Sequence, residues 1–183
     1  MSFMTQRAIT IRLAEPRDAQ AIALMSREFI ETGLGWKYDA ARVLRAIRDR
    51  ETLCAVACES GKNAAGRGAL TGFAIMELGD ERAHLVLLAV RPTHRRLGIG
   101  RRLFGWVLDA ARTAGMASIH LELRSGNDDA RRFYRAMGFY ETVLVPGYYR
   151  GEGRKEGALR MLRVLRSPGP VPYTWRPPRT EDT

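Results

Sequence analysis

The sequence predicts a mixed α/β (α+β) protein built on a single, mostly antiparallel sheet of about seven strands flanked by helices. Three observations lead there. Apolar or alternating runs at 53–59, 70–78 and 83–90, parted by a polar glycine-rich stretch and by Gly79-Asp80-Glu81, have the spacing of an antiparallel meander. A strand pattern, a tight basic loop and a helical pattern follow one another over 85–114; the run at 117–123, reached through that helix, is expected to lie parallel to the strand before the loop. Two further runs, 139–145 and 158–165, complete the sheet.

Taken in order, 9–13 alternates around Thr10 and Arg12 and reads as an edge strand. Glu15-Pro16-Arg17-Asp18 opens a helix over 18–31 with Ala19, Ile22, Ala23, Phe29 and Ile30 on its apolar face. Thr32-Gly33-Leu34-Gly35-Trp36 breaks it, and a second helix over 40–48 turns Val43, Leu44 and Ile47 inward. The meander follows, then the basic loop and a helix over 103–114, the strand at 117–123, and a short helix over 127–137 ending at Gly138. The stretch 146–157 reads as the loop joining the last two strands. From Ser167 the composition shifts, with Pro168, Pro170, Pro172, Pro177 and Pro178 favouring extended geometry, so the expected division is one domain over 1–166 and a Pro-rich tail over 167–183 carrying Tyr173 and Trp175.

A chain of 183 residues, 45% apolar, is long enough for one real core and too short for two comfortable domains. No apolar run approaches the roughly 20 residues a membrane-spanning helix needs, and the N-terminus lacks a signal-peptide core, so a cytoplasmic protein without membrane association is expected. Cys54 and Cys58 fall on one strand, about 13 Å apart at strand spacing, too far to bridge; they read as reduced core thiols. No resident metal is expected. A formal charge of +10 fits a polyanionic partner or a phosphate-rich ligand, but the basic residues are spread without aromatic interleaving, so nucleic acid is not expected as substrate.

The loop His94-Arg95-Arg96-Leu97-Gly98-Ile99-Gly100-Arg101-Arg102 carries the first functional signal. Glycines at a helix N-terminus allow close approach of the backbone, unpaired N–H groups and the helix dipole favour an anion, and arginines add permanent positive charge. No Gly-Lys-Ser/Thr follows, so it is not a Walker loop, and the third glycine and the later acidic residue of a dinucleotide fingerprint are missing.

Strand, Arg95-x-x-Gly98-x-Gly100, helix, strand, then Asn127-x-x-Ala130-x-x-Phe133-Tyr134-x-x-Met137-Gly138-Phe139: in this order and spacing the chain resembles the GNAT superfamily of acyl-CoA-dependent N-acyltransferases over residues 9–165. Within it, Leu121-Glu122-Leu123-Arg124-Ser125-Gly126-Asn127, Phe133-Tyr134, Gly147-Tyr148-Tyr149 and Gly153-Arg154-Lys155-Glu156 are most similar to the ribosomal-protein-alanine and neighbouring protein N-terminal acetyltransferases. Gly126 departs from the usual serine there, and the Trp36 region and the Pro-rich tail are not part of the pattern.

The resemblance implies the GNAT fold and acetyl-CoA as co-substrate. The backbone of Leu88, Ala89 and Val90 would pair with the pantetheine arm, with Arg95 and the amides of Arg96, Leu97, Gly98, Ile99, Gly100 and Arg101 on the pyrophosphate. Asn127 reads as an N-cap, and the matching asparagine of similar enzymes also binds coenzyme A. Acyl transfer to an amine needs a neutral amine, a polarised carbonyl and a proton for the leaving thiolate. Tyr134 is the expected acid. Glu122, a carboxylate inside an apolar strand, is the leading base, with His84 as the alternative and His120, on the same strand face as Glu122, as a candidate partner. His94 is assigned to the loop surface. Trp36, Tyr38, Tyr148 and Tyr149 are expected walls for the acceptor. The acceptor loops are poor in carboxylates apart from Glu31, Glu152 and Glu156, which favours a protein or peptide amine, ribosomal proteins included, over a polyamine or antibiotic. A basic, ribosome- or RNA-associated acyl-CoA-binding module is the reading from another class; the chain is expected to be a monomer or a homodimer.

Overall fold

The computed structural model describes residues 8–61, 68–150 and 155–166. The Pro-rich tail with Tyr173 and Trp175, Gly153-Arg154 and Glu152 lie outside them. The described strands form one seven-stranded sheet in the order β1-β2-β3-β4-β5-β7-β6. They are β1 (Ile9–Leu13), β2 (Thr52–Glu59), β3 (Leu70–Leu78), β4 (Arg82–Val90), β5 (Ser118–Arg124), β6 (Tyr140–Arg150) and β7 (Lys155–Val164). All neighbours are antiparallel except β4 and β5, as a helical crossover requires.

Helices α1 (Ala19–Phe29) and α2 (Ala40–Arg48) pack on one face of the sheet, and α3 (Ile99–Thr113) and α4 (Asp128–Ala136) on the other. Period-2 alternation in the strands divides the core accordingly. Phe73 and Ile75 of β3 join α1 and α2; Ala74 and Met76 of the same strand join α3. Gly72 is required where α3 crosses β3, since a β-carbon there would lie 2.9 Å from Leu103 and 3.0 Å from the Ala89 carbonyl.

Local chemistry sets the helix ends. Asp18 receives the Glu15 amide at 2.7 Å and is held by Arg12, so a 3-10 turn over Pro16–Asp18 precedes α1. Asp39 caps α2 by accepting the Arg42 amide at 2.7 Å, and Asn127 caps α4 by accepting the Ala130 amide at 3.1 Å.

Two expected boundaries are corrected. Helix α3 begins at Ile99 rather than at 103, because Gly98, at φ +75°, starts the helix directly from the loop. The stretch expected as a loop over 146–157 is mostly hairpin: β6 continues through Pro146 to Arg150 and β7 starts at Lys155. A register shift between Val145 and Tyr149, with Gly147 at φ +62°, absorbs Pro146 as an irregularity of an edge strand, where proline is tolerated.

Cys54 and Cys58 are free thiols; burial pushes Cys54 up to about 12. No helix among the described residues is long and apolar enough to cross a membrane.

Candidate active site

Parallel strands β4 and β5 pair over only three rungs, Arg82 with Ser118, Ala83 with Ile119, and His84 with His120. Beyond that rung each strand continues, β4 to Val90 and β5 to Arg124, without pairing to the other. The cause is visible in β4. Ile75 pairs with Leu87 and Met76 with Leu85, so Val86 is an extra residue that bends the strand. The bulge also flips the side chains: Ala83 and Leu85 belong to the α3 core, whereas Leu87 and Ala89 belong to the α1/α2 core. Leu88, Ala89 and Val90 therefore carry backbone along a sheet edge that opens within the sheet.

At the end of that edge lies the basic loop. Arg96 has φ +65° and Gly98 φ +75°, and successive left-handed turns of this kind point backbone N–H groups into a concave nest. The first intrahelical bond of α3 runs from the Arg102 amide to the Gly98 carbonyl at 3.0 Å, which leaves the amides of Ile99, Gly100 and Arg101 without helical partners. The glycines have different reasons. Gly98 has open space around it and is needed for its φ; a β-carbon on Gly100 would lie 3.5 Å from the Phe133 ring, facing the body rather than the nest. The Ile99 side chain is buried in the core, so only its amide serves the loop, while Leu97 is exposed. Arg95 Nε donates to the Val90 carbonyl at 3.1 Å and ties the loop to the strand. Arg102 donates to Ile9 O, and His94 is bonded to Glu59 and Thr93.

On β5, Ile119, Leu121 and Leu123 enter the α3 core, so His120, Glu122 and Arg124 face the α1/α2 side. Glu122 is held at both oxygens: Oε2 shares a hydrogen bond of 2.8 Å with His84 Nε2, and Oε1 accepts from Arg160 Nε at 3.0 Å. The His84 hydrogen bond first, then the charges of the surrounding histidines and Arg160, hold the carboxyl below its ordinary value despite burial. The two groups weighed as alternative bases are thus one unit. His120 stacks on His84 at 4.4 Å, and its pKa is lowered by burial and then by His84.

Tyr134 comes from the other side, on α4, packed edge-on against Phe133 and Phe139. Burial, and after it Tyr149, raises its hydroxyl well above the ordinary tyrosine value, so it stays protonated. Tyr149 is half-buried, pushed up to about 12 by burial, and within electrostatic reach of both Glu122 and Tyr134. Tyr148, the residue before it, is exposed and packs edge-on against the Tyr149 ring at 5.0 Å.

The remaining expected acceptor walls separate. Trp36 is exposed beneath the Arg27 guanidinium at 5.1 Å. Tyr38 is a core residue whose ring lies under Arg42 and which lines a cleft with Arg45, Asp49 and Glu77 instead. Glu31 is not available to an acceptor. It is buried and accepts from Ser26 Oγ at 2.9 Å, the Lys37 amide at 2.7 Å and the Tyr38 amide at 3.2 Å, which fixes the loop after α1. Arg124 bridges that loop to β7, donating to Thr32 O at 3.0 Å and lying 2.8 Å from Glu156.

Arg160 and Glu77 were not anticipated. Arg160 stands directly across from Glu122 on β7, and Glu77 across from His84 on β3. Opposite charges on neighbouring strands attract, but the signal needs the register, which the sequence does not state.

The profile of the Acetyltransferase (GNAT) family matches residues 19–139. The [ribosomal protein bS18]-alanine N-acetyltransferase of Escherichia coli is 33% identical over 53% of this chain and 66% of its own length. An uncharacterized protein of Mycobacterium leprae is 33% identical over 79% of this chain and 38% of its own length. The chain thus spans less than two thirds of these relatives. Among solved structures, Ard1 from Thermoplasma volcanium aligns with a TM-score of 0.71 at 28% identity, over 87% of this chain and 99% of that one. A chimera of the Vibrio cholerae spermidine N-acetyltransferase aligns at 0.70 and 22% identity, over 85% and 95% of the two chains, a likeness of fold.

Proposed function

The chain belongs to the acetyltransferase (GNAT) family, and on that premise we propose that it transfers an acetyl group from acetyl-CoA directly to a primary amine, the α-amino group of a protein or peptide. The observation that carries this reading is the hydrogen-bonded His84–Glu122 pair at the rung where β4 and β5 part, with Tyr134 supplied from the opposite face. The residues present fit acetyl-CoA: the nest at Arg96 and Gly98, the free amides of Ile99 to Arg101 and the charge of Arg95, Arg96 and Arg101 suit a pyrophosphate, and the open edge at Leu88, Ala89 and Val90 suits an amide-bearing arm. Bound there, the group supplies a thioester whose acyl carbon is open to an amine. The Asn127 side-chain oxygen caps α4, and its amide NH₂, without a partner among the described residues, suits the same ligand.

Glu122 takes the proton of the attacking amine, directly or through a water, and His84 and Arg160 hold the carboxylate in place. Since Glu122 is a weakened base, His84 shares the arriving proton through the 2.8 Å bond. Tyr134 donates to the departing sulfur. Its raised pKa keeps that proton in place until negative charge develops. Tyr149 and the Arg124–Glu156 bridge border the acceptor side, and Tyr148 offers an exposed ring beside them.

An α-amine suits this base. Its reference pKa is about 8 against about 10.4 for lysine, so a weak base removes its proton more readily near neutrality. The Escherichia coli relative, an alanine N-acetyltransferase of ribosomal protein bS18, supports the same class. With Glu31 committed to the loop and Glu156 paired with Arg124, the acceptor side offers a polyamine few free carboxylates among the described residues.

The test is mass spectrometry of peptides, an internal-lysine peptide and spermidine after incubation with the protein and acetyl-CoA. Acetylation of peptide N-termini is expected; modification of spermidine or internal lysine alone would replace this acceptor with another.

A further inference from the structure

We propose that His84, His120 and Glu122 form a zinc-binding site superimposed on the catalytic pair. His120 and Glu122 stand two apart on β5, on one face, and His84 is the direct cross-strand partner of His120. One ligand donor from each residue lies within 4.8 Å of the others. Two histidines and one glutamate make a three-residue ligand set that suits zinc and leaves a fourth position for water.

The surroundings favour the same ion. Ligating histidines are commonly oriented by an oxygen acceptor on the ring nitrogen that faces away from the metal. Here His84 Nδ1 faces Glu77 Oε2 at 4.0 Å, and the Ala83 backbone engages the His120 ring. Glu122 Oε1 can keep Arg160 while Oε2 turns to the metal. Arg160 opposes a cation, and the carboxylates of Glu77 and Glu122 offset it. Tetrahedral zinc holds donor atoms about 3.3 Å apart, so the rings must tilt from their 7° stack to bring their nitrogens inward.

Zinc so bound takes the place of the His84–Glu122 hydrogen bond and occupies the base. The ion is an inhibitor on this account, not a participant. The inhibition rests on Glu122 serving as the base; the binding does not.

Calorimetric titration with zinc chloride, and with cobalt(II) as a spectroscopic probe, tests the site without reference to activity. One ion per chain and a tetrahedral cobalt absorption band are expected. His120→Gln should weaken zinc binding by at least about tenfold and lose the band, Glu77→Gln should weaken it less, and His94→Gln should leave it unchanged. Thermal unfolding of each variant, recorded alongside, separates lost ligation from lost fold. Undiminished affinity in folded His120→Gln, or no tetrahedral band in the parent, would overturn the site. Each variant's acetylation rate with zinc is compared with its own metal-free rate. Zinc bound at these residues with no loss of rate would keep the site and count against Glu122 as base.

Discussion

Tyr134 and Glu122 belong to opposite faces of one sheet, yet both lie within electrostatic reach of Tyr149. A continuous ladder would keep such residues apart. The separation of β4 from β5 after the His84–His120 rung removes that barrier, so an acid from α4 and a base from β5 can serve one reaction.

Tyr134→Phe should lower kcat by about a hundredfold or more and leave KM for the amine nearly unchanged, because the hydroxyl acts only as the thiolate leaves. Steady-state kinetics check it; an unchanged kcat would make Tyr134 a packing residue beside Phe133 and Phe139.

Gly98→Val should weaken acetyl-CoA binding and cost about 1–2 kcal/mol of stability, since a β-carbon at φ +75° is strained even in open space. Gly100→Val should act differently, by pushing its side chain against Phe133 and Val90. Calorimetry with acetyl-CoA and urea unfolding separate the two effects. Undiminished binding in both variants would remove the loop from the cofactor site.

Glu31→Ala strands the Lys37 and Tyr38 amides, at a cost of about 1–3 kcal/mol, and loosens the loop that Arg124 also grips. A lower Tm together with a higher KM for the peptide is expected. A lower Tm with KM unchanged would separate that loop from the acceptor.

Glu122 has a folded pKa below its ordinary value of 4.5, so its pairing stabilises the fold above that pH and the contribution is lost as pH falls through the folded value. Glu122→Gln should therefore be less stable than the parent at pH 7 by about 1–3 kcal/mol, with the gap closing in acid. Urea unfolding at the two pH values measures it; a gap independent of pH would deny the linkage.

Much of this was legible beforehand, and the reasons are local. The continuous apolar run of β3, the strict alternation of β5, the proline and acidic start before α1, and Asn127 ahead of an amphipathic helix state their own structure. The glycines of the basic loop marked a tight entry into a helix, which Gly98 at φ +75° provides. What the residues did not reveal depends on register. His84 and Glu122 read as rivals because nothing in the order of residues says that β4 and β5 share a rung at His84 and His120. Arg160 remained unseen for the same reason, and the Val86 bulge, which opens the site, has no sequence signature in an apolar run. Tyr38 and Glu31 read as groups on the acceptor side, yet both are buried.

The most direct test of the central claim is the single-turnover rate of amine acetylation across pH 6 to 9 for the parent, Glu122→Gln, His84→Ala and the double variant. The account predicts that each single change slows transfer most at low pH, that the deficit shrinks as the α-amine becomes neutral near pH 8, and that the double variant is little worse than either single one. A Glu122→Gln variant that follows the parent at every pH would contradict it.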